Sequence, residues 1–274
     1  MSEGLRLRKT PAKEEKSDSE EVDKDEFSDG GDYKDKLHKF TLLEEILLVG
    51  LIDQEGYTSF WNDSISTGLR GCILIELALR DRIVLAPPSR LSVDRKILVK
   101  SDVSTGDGLL DEALRIINKN FQNIKVSTAI NYLSGESWNI LYMNCQLQNV
   151  RERIAKSLVD KGILSTEMKN FILFDMTTHP LKNQNAKTEI FEKVKKILTS
   201  QWHSDILKMD IRDISLILLC NFSDVLDNAL ASLSDSDYDI AKNRLTKLMN
   251  IDYQAMASKG NKADIIWAVF ASFR

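Results

Sequence analysis

Thr41-Leu42-Leu43-Glu44-Glu45-Ile46-Leu47-Leu48-Val49-Gly50-Leu51-Ile52 is the stretch at which the chain first declares a fold. Thr41 with Glu44 three residues on is a capping box, in which each side chain answers the other's backbone N–H. The apolar residues Ile46, Leu47, Leu48, Leu51 and Ile52 follow at once, so a helix begins here. Downstream, the same periodicity predicts helices at about Ser66–Arg80, Leu109–Asn118, Val126–Ser134, Asn144–Lys161, Ala186–Gln201, Ile211–Cys220, Asp237–Asn250 and Lys262–Phe273. The four prolines, Pro11, Pro87, Pro88 and Pro180, all fall between these segments, as the missing N–H requires. Two hairpins interrupt the helices. One joins Ile83–Leu85 to Ile97–Val99 across Pro87–Pro88, and the other joins Ile163–Leu164 to Phe171–Phe174 across a polar turn. No repeat period is present. The expected fold is mainly α, a single globular helical domain with short β-hairpins over 40–274.

Upstream of Thr41 the composition changes. Between Glu14 and Asp35 there are eleven acidic residues against three lysines and almost no large apolar groups, so residues 1–39 are expected to form a disordered acidic tail. A basic island, Arg6, Arg8, Lys9 and Lys13, precedes the acidic run. Over the 274 residues, 37 Lys+Arg against 41 Asp+Glu leave a formal charge of −4, without the basic excess that duplex binding needs. Cys72, Cys145, Cys220 and the histidines His38, His179 and His203 are scattered without a C-x-x-C pair, which argues against a disulfide framework or a zinc site. Apolar runs stop well short of the roughly 18–20 residues of a bilayer span, and the N-terminus lacks a signal-peptide pattern. A soluble, cytosolic-type protein is expected.

No enzyme motif is present: no G-x-S-x-G elbow, H-E-x-x-H, Walker lysine loop or G-x-G-x-x-G after a strand. Ser101–Gly108 carries two glycines but also Asp102 and Asp107, and reads as a turn that caps the next helix rather than a phosphate loop. Because both hairpins follow a helix, a winged-helix module for nucleic acid or protein is the competing reading.

Two places can hold an anion. In the connector Gly56–Asp63, Tyr57, Phe60 and Trp61 cluster ahead of a helix apolar almost all round, with Arg70 expected in its first turn. A cation at the positive end of a helix dipole is unfavourable unless an anion is shared there. The alternative is that Arg70 pairs with a carboxylate such as Asp63 and that Trp61 is core. Further on, Leu147, Val150, Ile154 and Leu158 form a buried stripe, while Gln148 and Arg151, three apart, share a neighbouring face and can reach one ligand. A solvated face of ion pairs is the ordinary explanation of that pattern.

The strings Glu55–Asp63, Gly68–Cys72, Glu76–Arg80, Leu109–Leu114, Leu133–Glu136 and Asn170–Leu181 closely resemble the Golgi phosphoprotein 3 family. The resemblance spans about Phe40 to Arg274. It implies a mainly helical, non-catalytic adaptor without a cofactor, peripheral to the cytoplasmic face of Golgi membranes and with a cytosolic pool. Such an adaptor binds phosphatidylinositol 4-phosphate and links glycosyltransferase cytosolic tails to the COPI coatomer. The family's lipid pocket matches Trp61, Arg70 and Arg151, while Gln148 stands where the family has a basic residue, removing one charge. In the family a hairpin corresponding to Phe171-Ile172-Leu173-Phe174 mediates self-association and membrane contact, which implies a homo-oligomer. Arg6, Arg8 and Lys9 resemble the N-terminal cluster that reaches coatomer. On this reading Arg70, Trp61 and Arg151 meet around one basic concavity, and Arg70→Leu removes lipid binding while leaving the thermal midpoint nearly unchanged.

Overall fold

Thr41 starts the first helix, α1 (Leu42–Gly50), as the capping box foretells: its hydroxyl accepts the Glu44 N–H at 3.2 Å, and the Glu44 carboxylate accepts the Thr41 N–H at 2.9 Å. The computed structural model describes residues 1, 38–58, 64–87, 95–121, 124–134, 140–171 and 174–274, without the side chains of 140–142, 171 and 174. Arg6, Arg8, Lys9, Trp61, Ile172 and Leu173 lie outside the described residues.

Every residue of α1 is buried, Glu44 and Glu45 included, so this helix is wrapped by others. Its two carboxylates are met from three sides. Glu44 accepts from Lys161 at 2.7 Å and Ser157 at 2.8 Å, while Glu45 accepts from Arg212 at 2.8 Å and Lys193 at 3.3 Å. Arg212 also donates to the Phe40 carbonyl at 2.8 Å, which fixes the point where the N-terminal segment joins the domain. Charges buried this deeply persist only when paired, because leaving one alone costs several kcal/mol.

From α1 the chain turns through a two-residue strand pair, β1 (Leu51–Ile52) and β2 (Tyr57–Thr58), into α2 (Ser64–Leu79), the second central helix. The hairpin β3 (Ile83–Leu85) with β4 (Ile97–Val99) follows, pairing the expected segments with Ile83 opposite Val99. Asp107 caps α3 (Gly108–Asn120) by accepting from Leu109 N at 2.8 Å and Leu110 N at 3.1 Å, so Ser101–Gly108 is the capping turn that its composition suggested. Then come α4 (Val126–Ser134), α5 (Val150–Asp160), the hairpin β5 (Glu167–Phe171) with β6 (Phe174–Thr178), and α6 (Gln184–Thr199). The chain closes with α7 (Ile211–Phe222), α8 (Leu226–Leu230), α9 (Asp235–Met249), α10 (Tyr253–Met256) and α11 (Asp264–Ala271). Among the described residues the strands form three separate two-stranded antiparallel sheets. The fold is mainly α with short hairpins.

Two expectations are corrected, and some short elements were not expected. The helix expected over Asn144–Lys161 is two elements, a 3-10 turn at Ile140–Cys145 and α5, because Leu147 N–H bonds the Leu133 carbonyl at 3.0 Å and Asn149 is left-handed at φ 53°. The second hairpin lies further along than expected. Ile163 and Leu164 are buried connector, with Leu164 bridged to Leu181, and Phe171 and Phe174 are the register pair at the closed end of β5 and β6. The pair β1–β2 and the short helices α8 and α10 carried too few residues to register as periodicity.

Candidate anion site

The site begins with a cation in the wrong-looking place. Helix α2 buries Ile65 and everything from Gly68 to Leu77, and Arg70 among them is only 7% exposed. A buried guanidinium needs acceptors, and three backbone carbonyls supply them. Arg70 donates to Ser66 O at 3.0 Å in its own helix, to Leu147 O at 3.0 Å on the way into α5, and to Leu133 O at 3.4 Å in the last turn of α4. The end of α4 is the negative pole of that helix's dipole, so the cation is favourably placed there. Because α2 starts at Ser64, Arg70 stands in its second turn rather than its first, and the expected strain against the α2 dipole does not arise.

That strain belongs to Arg151. It is the second residue of α5, whose N-cap Asn149 gives no side-chain cap, so a cation faces the open N-terminal amides of this helix. The Arg151 guanidinium is held by two hydroxyls: Nη2–H donates to Ser66 Oγ at 2.7 Å and Nη1–H to Thr58 Oγ1 at 3.2 Å. Its neighbours on α5 are engaged elsewhere. Lys156 lies 2.8 Å from Glu152, and its hydrogen bond holds the Glu152 carboxyl below the usual range, while Arg153 pairs with Glu112 at 2.7 Å.

Ser66 is therefore the pivot. Its carbonyl holds Arg70 and its hydroxyl holds Arg151, so the two guanidiniums approach within about 10 Å, the sum of two hydrogen bonds and the width of one residue. The structure brings Arg70 and Arg151 together. Gln148 follows directly on Leu147, whose carbonyl accepts from Arg70, and is exposed in the turn before α5 rather than on its face, two residues ahead of the first helical position. Trp61 belongs to the connector between Thr58 and Ser64, outside the described residues. Ser66 and Thr58 were missed in the sequence, although Ser66 stands four before Arg70, the spacing at which a helical side chain can reach back.

Gly56 shapes the approach to Thr58. It adopts φ +71°, its N–H bonds Ile52 O at 2.8 Å, and its carbonyl accepts from His179 N at 2.8 Å. A Cβ there would lie 2.4 Å from Pro180 N, so only glycine fits. Lys169 of β5 closes the same corner, donating to Gln54 O at 3.1 Å and to Glu55 at 2.9 Å; that bond holds the Glu55 carboxyl below its ordinary range. The β1–β2 corner is thus tied to the hairpin that ends in Phe171 and Phe174.

Two clefts elsewhere, of about 160 and 170 Å³, are lined by residues at the start of α4, of α10 and α11 and of the β3–β4 side, with neither Arg70 nor Arg151 nor Gln148 among them. No group of three His, Cys, Asp or Glu suited to a metal ion occurs among the described residues. Among the same residues no helix is long and apolar enough to cross a membrane.

The profile of the Golgi phosphoprotein 3 family, GPP34, matches residues 42–263, which takes in every helix from α1 to α10. Vacuolar protein sorting-associated protein 74 of Schizosaccharomyces pombe is 39% identical over 236 residues, covering 80% of this chain and 68% of that protein. With the central helices, the hairpins and the paired arginines inside the matched region, the chain belongs to the Golgi phosphoprotein 3 family.

Proposed function

We propose that this protein is a Golgi-associated adaptor that binds phosphatidylinositol 4-phosphate on the membrane surface and connects glycosyltransferase cytosolic tails to the COPI coat. Family membership and the likeness to a sorting protein support the adaptor role. The observation that carries the lipid step is the convergence of Arg70 and Arg151 on Ser66, from helices far apart in the chain. A phosphate monoester carries about −1.5 to −2 charges near neutral pH, and guanidiniums meet such a group through charge-assisted hydrogen bonds. In this reading Arg151 and the α5 N-terminus face the phosphate, Arg70 supports them from beneath, Trp61 contributes to lipid binding as the family resemblance implies, and Gln148 adds a neutral donor. The hairpin end Phe171–Phe174 serves self-association or membrane contact, and Arg6, Arg8 and Lys9 reach coatomer.

Flotation of the full chain with phosphatidylcholine vesicles, with and without phosphatidylinositol 4-phosphate, tests the lipid step. Wild type floats only with the phosphoinositide, and Arg151→Ala remains at the bottom while keeping its thermal midpoint within a few degrees. Equal flotation of wild type and Arg151→Ala removes Arg151 from the site. Equal flotation with plain phosphatidylcholine removes headgroup recognition altogether.

A further inference from the structure

We infer that Ser66, assisted by Thr58, positions Arg151 for a bound phosphate monoester and gives that phosphate a hydrogen bond of its own; this rests on the anion-binding reading above. A serine hydroxyl has one proton and two lone pairs. Ser66 Oγ uses a lone pair to accept from Arg151 at 2.7 Å, and among the described residues nothing receives its proton. The residue is held at both ends, because Arg70 grips its carbonyl at 3.0 Å. It is half-buried at the start of α2, so its hydroxyl is fixed in direction without being sealed off. Thr58, 6% exposed, takes the other arm of the fork at 3.2 Å and stops the guanidinium from turning.

The choice of hydroxyls has a chemical consequence. A carboxylate at position 66 would hold Arg151 more strongly, but it would cancel the charge that a phosphate needs. A hydroxyl holds the guanidinium and brings no opposing charge of its own. When a phosphate oxygen reaches Arg151, the Ser66 O–H lies beside it as a further donor, which offsets part of what the uncharged Gln148 fails to supply. Such pre-placement raises affinity because less side-chain freedom is lost on binding. The ligand chemistry is a phosphate monoester dianion, on a lipid headgroup or free in solution.

Two titrations of the full chain separate those sources: vesicles carrying phosphatidylinositol 4-phosphate, and inorganic phosphate followed by NMR of the arginine Nε–H groups. Ser66→Ala weakens both about tenfold, the worth of one hydrogen bond to a charged partner, and Thr58→Val weakens both less. Ser66→Thr, which keeps the hydroxyl, restores binding. Ser66→Asp abolishes binding in both arms yet keeps the thermal midpoint at or above wild type, because a carboxylate pairs with Arg151. A merely structural serine would give the opposite pattern, with binding following the midpoint. If Ser66→Ala or Ser66→Asp binds like wild type in both arms, the proposal is overturned. If wild type ignores the lipid but binds phosphate in a Ser66-dependent way, the lipid reading alone falls. If wild type binds neither, both fall.

Discussion

Arg70→Leu is the substitution for which the structure changes the expected result. The guanidinium is buried and donates to three carbonyls, of Ser66, Leu133 and Leu147. Two of these survive its loss. Leu133 O keeps the Leu147 N–H at 3.0 Å, and Ser66 O keeps its place in the α2 ladder. Leu147 O loses the one donor it has among the described residues, and a buried acceptor left without a partner costs roughly 1–3 kcal/mol. With the weakened bonds at the other two carbonyls, the substitution costs about 2–4 kcal/mol. For a domain of this size each kcal/mol moves the midpoint by about 2–4 °C, so a fall of about 5–15 °C is expected in a thermal scan followed by circular dichroism. Arg70→Lys keeps the charge but lacks the fork, and loses about half as much. A midpoint for Arg70→Leu within about 1 °C of wild type would refute the role of Arg70 as the tie between α2, α4 and the entry to α5. Vesicle binding by this variant is informative only after its stability has been measured, whereas Arg151, bonded to two side-chain hydroxyls, reports on the anion more directly.

Further outcomes follow from the same geometry. Gly56→Ala forces a side chain into a left-handed turn and against the backbone of Pro180, and should destabilise by about 1–3 kcal/mol and weaken anion binding through Thr58, read by urea unfolding and vesicle flotation; a neutral result would mean that the β1–β2 corner is free to move. Gln148→Arg should raise affinity for phosphoinositide vesicles by about 1 kcal/mol at low salt, with the gain shrinking toward physiological salt; no change at low salt would show that the turn before α5 faces away from the headgroup. Partial burial, followed by the charges of Arg212 and Lys193, holds the His38 imidazole below its ordinary value of 6.5. The neutral form is therefore the one the folded junction prefers, so its contribution to stability is present above pH 6.5 and is lost as pH falls from there toward the folded-state midpoint. NMR titration of His38 should give a midpoint below 6.5, and one above it would contradict the proximity of those cations.

What could be read from the sequence was local, and what could not was held by distant partners. The start of α1 was legible because Thr41 and Glu44 satisfy each other within one turn, and the course of α4 because Val126, Ala129, Ile130 and Leu133 keep helical spacing and are buried. The start of α5 was not. Leu147, Val150, Ile154 and Leu158 keep helical spacing and are all buried, yet Leu147 is buried as a connector, with its N–H on Leu133 and its carbonyl on Arg70. Spacing cannot distinguish a residue buried by its helix from one buried by a neighbour. The second hairpin slipped for a related reason: Ile163 and Leu164 are apolar because they enter the core, whereas β5 runs through Glu167, Met168, Lys169 and Asn170, which are polar or exposed and carry no inward face to recognise. At the site, the rule that a cation at a helix N-terminus invites an anion was attached to Arg70 because the helix was read as starting at Ser66, whereas Ser64 and Ile65 are already helical. Moved to Arg151, the rule meets an uncapped helix, and the buried arginine becomes the strut that holds Ser66 and the approach to α5 in place. The two arginines are thus held in different ways: Arg70 through backbone carbonyls, and Arg151 through the side-chain hydroxyls of Ser66 and Thr58.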